Sequence, residues 1–128
     1  MIVLITGGRE YRNEREMVAV LNRLHTERKF TFLVHGDAIG ADQMSHRWAK
    51  SAGVQPVAME ALWGFYGDKK AGTIRNKAML AFTKPDVIVA FSGGTGTANM
   101  MRVGGDTEVI DVEDIDLDNP ACIVGYNG

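Results

Sequence analysis

The sequence predicts an α/β domain with a five-stranded, mainly parallel sheet and helices on both faces, and three observations carry that reading. Short continuous apolar runs recur at residues 2–5, 30–34 and 87–91, the pattern of strands buried on both faces. Each run stops at a glycine-rich turn, and a segment with helical spacing follows each turn. Such alternation calls for parallel pairing through right-handed crossovers, and the expected strand order is 3-2-1-4-5. In that order the first and fourth strands are neighbours whose helices leave to opposite faces, which opens a crevice at their carboxyl ends.

The first strand, residues 2–5, ends at Thr6-Gly7-Gly8-Arg9-Glu10-Tyr11. Asn13 is placed as the cap of the first helix, Glu16 completes a capping-box pattern, and Met17, Val18, Leu21 and Leu24 share one face. The second strand, 30–34, runs into His35-Gly36-Asp37-Ala38-Ile39-Gly40-Ala41-Asp42. Ala41, Met44, Trp48, Ala49 and Ala52 then recur at helical spacing until Gly53 closes the helix. Residues 54–59 make a third strand, placed at an edge because Pro56 interrupts it.

Residues 60–72 show no clean period, with Trp63, Phe65 and Tyr66 set among Gly64, Gly67, Asp68, Lys69 and Lys70. They are read as a flap over the site, the alternative being a loop whose aromatics pack inward. Ile74, Ala78, Ala81 and Phe82 mark the next helix face, which puts Arg75 and Asn76 in its first turn. The fourth strand then meets Ser92-Gly93-Gly94-Thr95-Gly96-Thr97-Ala98, a short helix ends at Gly104-Gly105, and 108–112 form a last strand. Ala121-Cys122-Ile123-Val124 is read as a short extra strand or an oligomer contact.

At 128 residues and 45% apolar content the chain is expected to form one domain over 1–128, with an acidic tail from about 106. No run is long enough to span a bilayer and no charged, cleavable leader precedes Ile2, so the protein is expected to be soluble and cytoplasmic, with no membrane partner. The lone Cys122 fits a reducing compartment. Up to residue 105 the chain has fourteen Lys and Arg against nine acids, a net +5, and seven acids follow. A basic body suits a small anionic ligand, whereas the absence of a lysine or arginine run disfavours nucleic acid. No metal is expected. His25, His35 and His46 lack zinc spacing, and the calcium-loop pattern begun by Asp114, Asp116 and Asp118 breaks at Asn119 and Gly125.

The glycine turns carry the chemistry. Gly93, Gly94 and Gly96 let backbone approach a ligand, and the helix that follows opens with unpaired N–H groups that attract phosphate. Gly7 and Gly8 flank the same crevice, and the turn holding Gly36 and Gly40 lies one strand away. In this reading the amides of Gly94 to Thr97 hold a phosphate, with Ser92, Thr95 and the Thr97 hydroxyl beside them; a plain helix cap is the alternative. Arg75 meets phosphate or ribose bidentately, with Asn76 next to it and Arg9 and Tyr11 at the opposite lip. Asp37 and Asp42 either bind ribose hydroxyls or act as acid or base, although Asp42 also suits a helix cap. His35 titrates near neutrality or is hydrogen-bonded structure, and Trp63 and Tyr66 stack on a base or pack inward. The pattern of a P-loop is absent, and Asn99 stands where the dinucleotide fingerprint needs its third glycine.

Five stretches together resemble the SLOG superfamily: residues 5–11, 35–42, 63–66, 71–76 and 93–100, in order along 1–112. Within it the chain is most similar to the small YspA-like proteins of bacteria and their phages. The resemblance implies a Rossmann-like nucleotide-binding fold, no separate cofactor, and a homo-oligomer. It also brings in the related LOG phosphoribohydrolases, which split a nucleoside 5′-monophosphate into base and ribose phosphate. Arg75 and Met79 match the arginine and methionine of their pattern, but Met100 stands where their glutamate belongs. Without that carboxylate, nothing at this position stabilises the cationic sugar formed as the base leaves. Hydrolysis would need Asp37, Asp42 or Glu10 as the acid, so a binding or sensing module is the first expectation and hydrolysis the second.

Overall fold

The computed structural model describes residues 1–61 and 68–115. The expectations for Trp63, Phe65 and Tyr66, for Asp116 and Asp118, and for the stretch around Cys122 lie outside the described residues. Five parallel strands form one sheet in the order β3-β2-β1-β4-β5: β1 Ile2–Thr6, β2 Phe32–His35, β3 Gln55–Ala58, β4 Val87–Ala90 and β5 Glu108–Asp111. The helices between them are α1 Glu14–Arg28, α2 Ala41–Ala52, α3 Asp68–Thr83 and α4 Thr95–Val103. This is the expected Rossmann-like order, with β1 beside β4 in the register Val3↔Val87 to Thr6↔Ala90.

The period of two along each strand divides the core into two layers. Val3, Ile5, Leu33, Val87, Val89 and Ile110 pack with the buried residues of α1 and α2. Leu4, Val34 and Ile88 point the other way, onto Met79 of α3 and Met100 of α4. The short β5 edge is tied back to the far end of α1, where Arg28 grips Glu108 through two bonds of 2.8 and 3.0 Å.

Local chemistry sets the boundaries. Asn13 caps α1 by accepting the Glu16 N–H, while the Glu16 carboxylate takes the Tyr11 hydroxyl at 2.7 Å. The second strand begins two residues later than its apolar run because the Phe30 N–H is held by His25 Nδ1 at 3.0 Å. Gly53 ends α2 in the left-handed conformation.

The region before Arg75 differs from expectation. α3 starts at Asp68, so residues 68–72 are its first turn rather than part of a flap, and Arg75 and Asn76 lie about two turns inside it. Its buried face is Ala71, Asn76 and Met79, whereas Ile74 is 41% and Phe82 79% exposed. The apolar stripe Ile74, Ala78, Ala81 and Phe82 thus faces away from the sheet. Arginine and asparagine hold the inward positions because their polar ends meet backbone from the neighbouring loops.

Candidate functional site

The three glycine turns meet at Gly8. Its N–H donates to the Ser92 carbonyl at 2.8 Å, and its carbonyl accepts from the Tyr11 and Ala41 N–H groups at 3.2 Å each. Gly40, at φ +84°, lies so close that a Cβ there would enter the Gly8 and Arg9 backbone. A Cβ on Gly93 would strike the Thr97 hydroxyl and the Gly8 amide, one on Gly7 the Ala41 side chain, and one on Gly8 the Ser92–Gly93 backbone. These four glycines are therefore required by the packing of loop on loop. Gly94 and Gly96 differ: a Cβ on either would meet nothing within 4 Å. Gly94 caps α4, and no side chain caps that helix.

Arg75 clamps the second loop. Its Nη1 donates to the Gly36 carbonyl at 2.7 Å and its Nε to Asn76 Oδ1 at 3.0 Å. Gly36 has no room for a Cβ because the guanidinium lies over it. Asn76, 3% exposed, donates onward to the Gly96 carbonyl at 3.2 Å and to Asn99 Oδ1 at 3.0 Å. Burial draws Arg75 below its ordinary value, Asp42 opposes that, and the positive charge of Arg9 adds to it. Two guanidinium groups thus feel each other across the crevice, and a bound anion would relieve the repulsion.

Asp42 is buried in the second position of α2, and Gly40 is the cap. Its Oδ2 accepts the N–H groups of Gly36 at 3.1 Å and Ala38 at 3.2 Å. It closes the loop that precedes its own helix. Burial pushes its carboxyl up to about 6, against those two amides and the Arg75 charge. Asp37 is exposed at φ +59°, its carboxylate held by Gln43 Nε2 at 2.6 Å. His35 is fully buried, bonded through Nδ1 to the Asp37 N–H at 3.0 Å and through Nε2 to His46 Nδ1 at 2.8 Å.

The remaining expected residues divide between wall and mouth. Tyr11 packs its ring against Phe91, with its hydroxyl on Glu16 and the Asn13 carbonyl, and so braces the first loop. Thr97 is buried with its hydroxyl under Gly93. Arg9, Glu10, Ser92, Gly94 and Gly96 are exposed, while the side chain of Thr95 lies outside the described residues. Met100 is completely buried with Met79, Leu4 and Ile88, so the position of the LOG glutamate is core here.

The sequence did not single out His46, Gln43 or Asn99. His46 stands one helical turn after Asp42, the one signal that it shares that face of α2. Among the described residues no group of three or more His, Cys, Asp and Glu side chains comes together as a metal site, and no helix is long and apolar enough to cross a membrane.

Comparison with known proteins agrees with this architecture. The profile of the family described as "YspA, cpYpsA-related SLOG family" matches residues 1–66. The "Gene 61 protein" of Mycobacterium phage D29 is 37% identical over 108 residues, spanning 78% of this chain and 85% of its own. No solved structure matches the chain.

Proposed function

The chain belongs to the YspA, cpYpsA-related SLOG family, and we propose that it is a one-domain cytoplasmic module that binds a nucleotide or nucleotide-derived molecule. The phosphate sits on the opening turn of α4, and Arg75 and Arg9 supply the countercharge. The observation that carries this reading is the contrast among the glycines: a Cβ on Gly7, Gly40 or Gly93 would strike neighbouring loops, whereas one on Gly94 or Gly96 would meet none of the described residues within 4 Å. Helix N–H groups without a side-chain cap favour a phosphate there, and a nearby guanidinium strengthens the site. Burial of Met100 supports binding without turnover.

The apolar stripe of α3 supports self-association. Ile74, Ala78 and Phe82 recur every four residues with the small Ala78 central, so two copies crossing antiparallel would seat each Phe82 against the partner's Ile74.

One observation favours a second reading, an N-glycosidase-type hydrolase. Burial pushes Asp42, beside Arg75, up to about 6, which leaves a minor protonated fraction at neutral pH. In that reaction Asp42 protonates the base as its C1′–N bond breaks, water adds to C1′ and gives its proton back to the Asp42 carboxylate, and Arg75 holds the sugar phosphate. Mass spectrometry of a nucleoside 5′-monophosphate panel incubated with the protein separates the two readings. Intact nucleotide retained on the protein supports the binding module. Free base released, and lost in Asp42→Asn, supports the hydrolase.

A further inference from the structure

Outside the turn proposed to hold phosphate, His35 and His46 form a polar pair at 2.8 Å. His35 Nδ1 accepts the Asp37 N–H, so its ring proton is on Nε2. That Nε2–H points at His46 Nδ1, 2.8 Å away, which makes His46 the acceptor and leaves its own proton on Nε2. The tautomers of both rings are therefore fixed by one backbone amide. That amide belongs to Asp37, a non-glycine residue at φ +59°, a conformation that persists only when its surroundings hold it.

We propose that His46 is a positioning residue for the candidate site: acting through His35, it holds the Asp37 amide and keeps the 36–42 loop closed, and protonation of the pair releases that loop. The physical reason is donor counting. A proton added to His46 Nδ1 meets the His35 Nε2–H head-on. If His35 turns that nitrogen into the acceptor, its proton moves to Nδ1 and faces the Asp37 N–H instead. A proton added to His35 Nδ1 has the same effect, so either event costs one of the two bonds. Burial, His46 and Arg75 lower His35 to about 4, against Asp37, while the half-buried His46 is the ring that solvent reaches. Among the described residues, Asp37 in the loop and Arg75 from α3 act on His35, and Asp42 and Lys50 stand one turn to either side of His46 on α2. The strands flanking β2, β1 and β3, carry no titratable side chain.

Opening this loop moves Gly36, whose carbonyl receives Arg75 and whose amide feeds Asp42. The device thus reaches the proposed ligand site, and its effect on ligand rests on the nucleotide-binding reading.

The test uses the full chain in two independent parts. In ligand-free protein, imidazole nitrogen NMR and the hydrogen exchange of the Asp37 amide are followed from pH 8 to 5, together with AMP affinity by calorimetry. At pH 8 His35 should carry its proton on Nε2, and acidification should lower the protection of the Asp37 amide, its exchange rate taken relative to the intrinsic rate at each pH, by about tenfold or more as its bond opens. His46→Gln offers an acceptor that takes no proton, so the Asp37 amide should stay protected and AMP affinity should lose its extra pH dependence. A His35 proton on Nδ1 at pH 8, or equal Asp37 exchange profiles for wild type and His46→Gln, would overturn the proposal. The expected exchange profiles without AMP binding would uphold the latch and remove only the nucleotide reading.

Discussion

Asn76 Nδ2 lies 3.0 Å from Asn99 Oδ1, and the same nitrogen reaches the Gly96 carbonyl at 3.2 Å. One buried amide thereby fixes α3 to the turn that opens α4. Its Oδ1 also receives the Arg75 Nε, so Arg75 and the turn that opens α4 are held by the same side chain. Asn76→Leu removes all three bonds and leaves the Asn99 amide oxygen and the guanidinium short of partners. It should cost about 2–3 kcal/mol in urea unfolding and weaken nucleotide binding as well.

Met100 offers a direct check on inherited chemistry. The side chain is fully buried against Leu4, Val34, Met79 and Ile88. Met100→Glu restores the residue type of the LOG pattern but places a carboxylate in an apolar layer. The variant should lose about 3 kcal/mol or more of stability and release no free base from nucleoside 5′-monophosphates. Base release by a stably folded Met100→Glu would show that this position faces the crevice.

Acid stability follows from two buried groups of opposite sign. His35 titrates near 4 in the folded chain and near 6.5 when unfolded, so its contribution is complete above about 6.5 and is lost as pH falls through 4. Asp42 titrates near 6 folded and 3.8 unfolded, so its contribution is present below 3.8 and is lost as pH rises through 6. Between about 4 and 6 the two slopes oppose each other. Asp42→Asn should therefore lose stability on acidification more steeply than wild type, read from urea midpoints at pH 7, 6, 5 and 4.

The exposed stripe on α3 predicts a change in mass. Phe82 is 79% exposed, so Phe82→Glu should alter the stability of a single copy by no more than about 0.5 kcal/mol. Sedimentation velocity should show wild type associating with concentration and Phe82→Glu remaining monomeric. A wild type that stays monomeric up to high micromolar concentration would count against self-association.

Strand order was legible in the sequence because buried parallel strands and glycine turns leave strong local signals. The face of α3 was not. Periodicity identifies Ile74, Ala78, Ala81 and Phe82 as a stripe but cannot say whether the stripe meets this chain's sheet or something else, and Arg75 and Asn76 hold the inward side through polar bonds invisible to a hydrophobic pattern. The glycines were legible as a class but not individually. Only the spacing between loops distinguishes Gly93, where a Cβ would strike Gly8 and Thr97, from Gly94 and Gly96, where a Cβ would meet none of the described residues within 4 Å. His46 escaped for a similar reason, since its partner lies eleven residues away on β2.

The most direct test of the central claim is a calorimetric comparison of nucleoside 5′-monophosphates with their nucleosides, on wild type and Gly96→Leu. A Cβ at position 96 meets none of the described residues within 4 Å, so the variant should fold while its side chain occupies the proposed phosphate position. The account predicts at least one monophosphate binding wild type about tenfold or more tightly than its nucleoside, with that preference abolished in Gly96→Leu. Equal affinity for monophosphate and nucleoside, or a phosphate preference that survives in folded Gly96→Leu, would contradict it.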